Sequence, residues 1–486
     1  MYQKSLKKNA IYSFIKSFMN LAFPVITFPY ASRILAPEGI GKINFANSIV
    51  AFFVTLALLG TNSYATREAA KIRDDKYALS KFTKEILLIN VFSTVFSYIV
   101  FFILVFSVKK FENYTILLII CSIKIFFMIF GMDWLYTATE EFKYITIRSI
   151  IFQIISIVFL FLFVHTQDDL YWYAIFGIVS AVGSNICNFI HSRLYVNLFV
   201  HCKLEIKKHL KYIFTFFGMT LVANVYTVLD TTMLGFLTND IQVGYYSAAT
   251  KIVKMIIGIL ASVAAVLLPR LSYCIEKQDK ELFSSLLEKA MTIFWMLSIP
   301  ITVGIFLLSK PLLSAFSGAQ FLDAQVPMKI LSPLVFIIST ATLLGSPLSA
   351  MRKEKISFFA VICGAITNVT LNFLLIPKYG ISGAAIGTIV AESFVTGIQF
   401  LYLRSFFKNK KLRTNTLQVV FATAVMGFAV YFIIKNISNN FTQIILGSFG
   451  GMLIYAGILL LFRNSYILDI LKKIKTYIKN NVLKKI

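Results

Sequence analysis

Acid is scarce in this chain: 22 Asp and Glu stand against 47 Lys and Arg, and charged residues of both signs fill only 14% of 486 positions. A soluble domain carries about a quarter charged residues, so that shortage excludes one. A hydrophobic content of 58% and a mean hydropathy of +0.78 agree. Cysteine is sparse too. Cys121, Cys187, Cys202, Cys274 and Cys363 are dispersed without a Cys-x-x-Cys pair, which speaks against a disulfide framework or a thiolate metal site and leaves them as buried spectators. The four histidines, His165, His191, His201 and His209, lie near loops and build no constellation. No catalysis, cofactor or metal is expected.

What is present is apolar sequence in long runs. About fourteen segments of roughly 20 residues are each long enough to cross a bilayer, and they run continuously rather than in the short alternating stretches of a β-barrel. The fold class is therefore an all-α polytopic membrane protein. A net charge of +25 would suggest nucleic acid in a soluble chain, but nothing resembles a nucleic-acid module, and basic loops facing the cytoplasm account for it. With a cytoplasmic N-terminus, the inner segments hold 34 of the 47 Lys and Arg, whereas outer turns and segment ends hold about seven. That bias places both termini in the cytoplasm. Met1 to Lys8 is basic, but the apolar run after it is long and lacks a small-residue cleavage site, so no cleavable signal peptide is expected.

The chain repeats itself. Gly41-Lys-Ile-Asn-Phe-Ala-Asn-Ser-Ile-Val50 aligns with Gly244-Tyr-Tyr-Ser-Ala-Ala-Thr-Lys-Ile-Val253 at an offset of 203, which also carries Arg67 onto Arg270. Six expected spans separate the copies, so the repeats are parallel, related by an axis along the membrane normal. The expected architecture is two parallel six-helix lobes, 1–205 and 206–405, around a central cavity, plus two C-terminal helices and a basic tail in 406–486.

Ionisable groups at bilayer depth are costly and face a cavity or a partner. On the first span Asn9, Ser13, Lys16, Asn20, Pro24 and Thr27 share a face by helical spacing, as do Asn44, Asn47 and Ser48 on the second. The repeat puts Thr250, Lys251 and Lys254 on the equivalent face of the eighth, and Lys124 falls mid-way along the fourth. For Lys16, Lys124 and Lys251 the cavity-facing reading is preferred over an interhelical ion pair. Among the acids, Asp133 is placed in the fourth helix, Asp230 in the seventh and Glu392 in the twelfth. Asp133 and Asp230 are open to either reading. Glu392, beside the small-residue stripe Gly383, Gly387 and Ala391, is either a coupling-ion site or bonded to a neighbouring helix. A drug exporter for organic cations would prefer acids at depth, and here cations outnumber them.

Several motifs resemble a known family. Arg33-Ile34-Leu35 before Pro37-Glu38-Gly39-Ile40-Gly41, then Phe45-Ala46-Asn47-Ser48-Ile49, is similar to the opening of the Wzx-type polysaccharide flippases of the multidrug/oligosaccharidyl-lipid/polysaccharide exporter superfamily. Gly131-Met-Asp-Trp-Leu-Tyr136, Asp230-Thr-Thr-Met-Leu-Gly235 and the hairpin from Asn368 to Ala385 resemble that family's later landmarks in order and spacing. The resemblance implies translocation of an undecaprenyl-pyrophosphate-linked oligosaccharide from the cytoplasmic to the outer leaflet of a bacterial inner membrane, for O-antigen, capsule or exopolysaccharide. A polysaccharide polymerase and a chain-length regulator are the implied partners besides the bilayer. Lys16, Lys124, Lys251 and Lys254 would supply charge to the diphosphate, and Asn20, Asn44, Asn47 and Thr250 would bond sugars. Asp133, Asp230 and Glu392 are the coupling-ion candidates. The competing classes are a MATE-like drug or cation antiporter, a lipid II-type flippase, and an enzyme of the same pathway. A polymerase is disfavoured because the longest outer turn is about Lys310–Val326, and a glycosyltransferase because no soluble nucleotide-sugar domain fits.

Overall fold

The computed structural model describes residues 6–264, 267–407, 410–464 and 466–468. The basic tail from 469 onward and the extreme N-terminus, both counted among the expected inner segments, lie outside the described residues. Every regular element among the described residues is helical. In a bilayer core each backbone N–H and C=O needs a partner within the protein, and a helix meets that need within its own segment. Twelve described helices are long and apolar enough to cross a membrane, or thirteen when the pair Ala319–Leu331 and Leu334–Ala350, bent by 47°, counts as one span. This is a multi-pass membrane protein.

By that measure the expected fourteen is not reached, because the first two expected spans run together in one stretch, Lys8–Lys71. A straight helix of its 64 residues would be about 96 Å long, some three times a bilayer core. The stretch is instead broken at Ala36, whose φ of 57° and ψ of 176° leave the helical region. In the sequence Ala36-Pro37-Glu38-Gly39 reads as a four-residue polar turn. One residue makes it, because Pro37 has the right φ to restart a helix and no N–H to leave unbonded, and Glu38 already pairs with Lys42 at 2.6 Å.

The chain divides into two compact units, Met1–Ser247 and Ala248–Ile486. In the first, hydroxyl and amide groups bond across helices where lipid offers nothing to bond. Ser97 donates to the Phe53 carbonyl (2.8 Å), Tyr98 to that of Ser122 (2.7 Å), and Asn224 to the Thr55 hydroxyl (2.7 Å). Helix Ile206–Leu237 is fastened in this way to helix Leu6–Leu58, and Thr232 adds a bond to Ser48 at 2.9 Å. Near the break at Ala36 the backbones touch. A Cβ on Gly41 would collide with the Asp240 carbonyl, and one on Gly244 with the Pro37 carbonyl. Residues 37 and 41 stand 203 positions before 240 and 244, the offset expected for the repeat, so the two contacts are reciprocal.

In the second unit, Glu354–Tyr379 and Ile381–Leu403 form a hairpin with Ala384, Ala385 and Ala391 fully buried. The small residues let two helices approach closely without lipid between them. Helices Lys410–Lys435 and Asn440–Leu461 pack against Lys280–Ser317, where Tyr455 donates to the Met296 carbonyl at 2.8 Å and Asn440 to the Ser314 hydroxyl at 2.9 Å.

Candidate functional site: a cationic cluster in the N-terminal unit

The fourth apolar segment is not one helix. Thr115–Phe127 ends in a tight turn, Met128–Phe130, and after Gly131 and Met132 a short helix, Asp133–Ala138, begins. Asp133 therefore sits in the first turn of a new helix, where negative charge is favoured, and not nine residues along a continuous helix from Lys124. The break re-aims it. Arg148 Nη2 lies 2.7 Å from Asp133 Oδ1, Asn188 Nδ2 lies 2.9 Å from the same oxygen, and Lys16 Nζ lies 3.3 Å from Oδ2. A π-helical turn, Val179–Gly183, precedes the helix Asn185–Ser192 that presents Asn188. Such a wider turn changes the face on which later side chains emerge.

Two cations thus share one carboxylate, leaving the cluster one positive charge in excess. The two are held differently. Arg148 is 7% exposed, whereas Lys16 is 32% and Asp133 41% exposed. Solvent weakens the Lys16 pair, so Arg148 is the fixed counter-ion and Lys16 the looser one. Next to this cluster in sequence, Asn20 accepts a bond from Gln153 at 2.8 Å. Lys124 is held separately. Its ammonium lies 2.5 Å from Asn47 Oδ1, a neutral acceptor, and no carboxylate pairs with it among the described residues.

Other expected site residues fall elsewhere. Asn44 donates back to the Ile40 carbonyl of its own helix at 2.8 Å. Asp230, 9% exposed, accepts from the Tyr246 hydroxyl at 2.7 Å. Thr250 and Lys251 are half-buried and Lys254 exposed on helix Asp240–Ala264, and Glu392 is half-buried on Ile381–Leu403.

The sequence reading missed Arg148, Asn188 and Gln153. Gln153 and Ser156, three apart in an otherwise apolar run, were a usable signal. Arg148 gave none, since it was counted with the inner loop, where a solvated cation looks the same. His209 was read as a loop residue, yet it is buried, with Glu85 Oε2 2.8 Å from Nε2 and the Tyr64 hydroxyl 2.7 Å from Nδ1. It anchors the start of helix Ile206–Leu237 to helices Thr61–Lys71 and Lys76–Ser107.

The fold is that of a known class of membrane transporters. It matches the lipid II flippase MurJ in its inward closed conformation with a TM-score of 0.76 at 18% identity, over 94% of this chain and 99% of that one. It matches a multidrug resistance MATE family transporter of the MOP superfamily, in its inward-facing conformation, with a TM-score of 0.63 at 15% identity over 84% and 97% of the two chains. The family model described as polysaccharide biosynthesis protein matches residues 6–275, more than half of the chain, which therefore belongs to that family; the MatE model matches 216–374. Among curated relatives, a protein named as an O-antigen transporter in Escherichia coli (strain K12) is 23% identical over 82% of this chain and 97% of its own length. The capsular polysaccharide biosynthesis protein CapF of Staphylococcus aureus is 23% identical over 81% and 98%.

Proposed function

We propose that this protein is a flippase for lipid-linked oligosaccharide repeat units, carried as undecaprenyl-pyrophosphate, working by alternating access between the cytoplasmic and outer leaflets of a bacterial inner membrane. The observation that carries the reading is Lys124, a cation at membrane depth whose one hydrogen-bond partner among the described residues is a neutral amide. An unneutralised ammonium is costly there and becomes favourable when an anionic head group arrives, and a diphosphate is bound well by charge-assisted hydrogen bonds. Lys16, held loosely by Asp133, is free to share itself with such a ligand. Thr250, Lys251 and Lys254 are proposed to offer the same chemistry from the C-terminal unit, within repeat-defined lobes bounded near 205 and 405. The family and the names of its relatives support a polysaccharide repeat unit over a drug cation.

The orientation belongs to the same proposal, with basic loops and both termini cytoplasmic. A polymerase and a chain-length regulator are the proposed partners in assembly, and Glu392 is the proposed coupling-ion ligand. The test is complementation. Lys124→Ala, inserted and expressed as wild type, should fail to restore export in a flippase-null strain, and lipid-linked repeat units should accumulate on the cytoplasmic side. Full complementation by that variant would refute the cationic site. Rescue of a strain lacking lipid II flipping, but not one lacking repeat-unit export, would move the substrate to lipid II.

A further inference from the structure

A second feature lies on the flank of the N-terminal unit. A cavity of about 520 Å³ opens between the start of helix Phe142–Phe163 and the end of Asn185–Ser192. Its polar end is lined by Lys143, Tyr144, Arg148 and His191. Lys143 is exposed. Arg148 is nine-tenths buried and uses Nη2 on Asp133, while its Nε and Nη1 are buried with no hydrogen-bond partner. Buried donors left unbonded are costly, so this wall is incomplete by itself.

His191 stacks on Tyr144, with centroids 3.9 Å apart and planes 10° apart. The Tyr136 hydroxyl donates to the Asn188 carbonyl at 2.7 Å, so its oxygen is left to accept from His191 Nδ1, 3.3 Å away. That assigns the proton to Nδ1 and leaves Nε2 an acceptor, so Lys143 and Arg148 supply the positive charge at this end. The one acid in the lining, Glu141, is turned onto the Tyr195 hydroxyl. The other end of the cavity is apolar, with Ile147, Ile151 and Phe152. From there Ile147, Ile151, Ile154 and Val158 continue as one exposed stripe at helical spacing.

We propose that this cavity binds the phosphate head group of an anionic phospholipid from the leaflet beside the basic loops, with an acyl chain along the stripe. The cavity offers donors and positive charge at one end and an apolar track at the other, which is the polarity of such a lipid, and basic pockets between membrane helices on the cytoplasmic side favour anionic head groups. Arg148 makes the site consequential. It is the fixed counter-ion of Asp133 and its guanidinium carbon lies 5.7 Å from the centre of the Tyr144 ring, so a phosphate held in the cavity beside it also steadies, by charge, the cluster that holds Lys16. The leaflet assignment rests on the orientation proposed above, but the test measures lipid retention and does not depend on transport.

Full-length protein in neutral detergent is offered phosphatidylglycerol or phosphatidylcholine, and retained lipid is counted by native mass spectrometry. Wild type should keep one phosphatidylglycerol in preference to phosphatidylcholine, and Lys143→Ala should cut that preference about fivefold while melting as wild type does without lipid. Millimolar inorganic phosphate should leave the bound lipid in place. Equal retention of the two lipids, or an unchanged preference in Lys143→Ala, overturns the proposal. Displacement by inorganic phosphate also overturns it, assigning the site to a free anion.

Discussion

Lys16 and Lys124 are both cations in apolar helices, and the protein treats them in opposite ways. Lys16 has a carboxylate 3.3 Å away, and that carboxylate is held a second time by Arg148 at 2.7 Å. Lys124 has an amide oxygen at 2.5 Å and no counter-charge among the described residues. At the first position folding has largely offset the cost of the charge. At the second the cost is left standing, which a protein tolerates where a ligand is to repay it. Depth in the membrane therefore does not separate the two lysines; the counter-charge found at one and not at the other among the described residues does.

The contrast can be broken by making Lys124 resemble Lys16. Asn47→Asp supplies the absent carboxylate. Its export should fall roughly ten- to hundredfold, the worth of a charge-assisted hydrogen bond diverted from substrate, while thermal stability holds or rises. Normal export by Asn47→Asp would show that Lys124 needs no free charge. Next in size is the inequality within the Asp133 cluster. Arg148→Ala removes the buried partner and should cost about 3 kcal/mol, seen as a lower melting temperature in detergent. Lys16→Ala removes the exposed one and should cost under about 1 kcal/mol, so any export it loses is functional. Equal losses of stability would cancel the division into fixed and loose cation.

Smaller effects are expected where the backbones touch at Gly41 and Gly244. Gly41→Ala and Gly244→Ala should each destabilise by about 1–3 kcal/mol. The double variant should cost less than the two together, because once one methyl has parted the backbones the second meets less resistance. Full additivity in a double-mutant cycle would mean that the contacts are independent. The smallest effect is at Glu205, outside the spans, where Lys208 and then Lys81 hold the carboxyl down to about 2. Its folded value lies below the unfolded one, near 4.3, so its contribution is present above that pH and is lost as pH falls toward 2. Glu205→Gln should then lower the melting temperature slightly and evenly from pH 5 to 8, and the two proteins should converge as pH falls toward 2.

Much of this was legible before any coordinates. Long apolar runs dictate helices because lipid leaves the backbone no alternative, and Lys16, Asn20, Asn47 and Lys124 stood out because polar residues at helical spacing are conspicuous against such runs. What stayed hidden depended on local breaks. Gly131 ends the fourth helix and turns Asp133 toward Arg148, which no periodicity announces. Arg148 and His209 lie at the boundary between loop and helix, where a solvated residue and a buried one have the same neighbours in sequence. The pairing of Asp230 with Tyr246 joins two helices, and spacing along one helix is silent about the next.

The reciprocal meeting of Gly41 with Asp240 and of Gly244 with Pro37 bears on how such a chain could arise. A self-complementary patch is what a two-fold homodimer makes. In an ancestor of half the length, one glycine would have served both contacts, and one substitution there would have struck the interface twice. Two copies joined in one chain would escape that constraint, since each half could then change without the other. Where backbones touch, the glycines are still matched. At the same offset Ser48 stands opposite Lys251 in sequence, so the side chains differ while the glycines at the contact are matched.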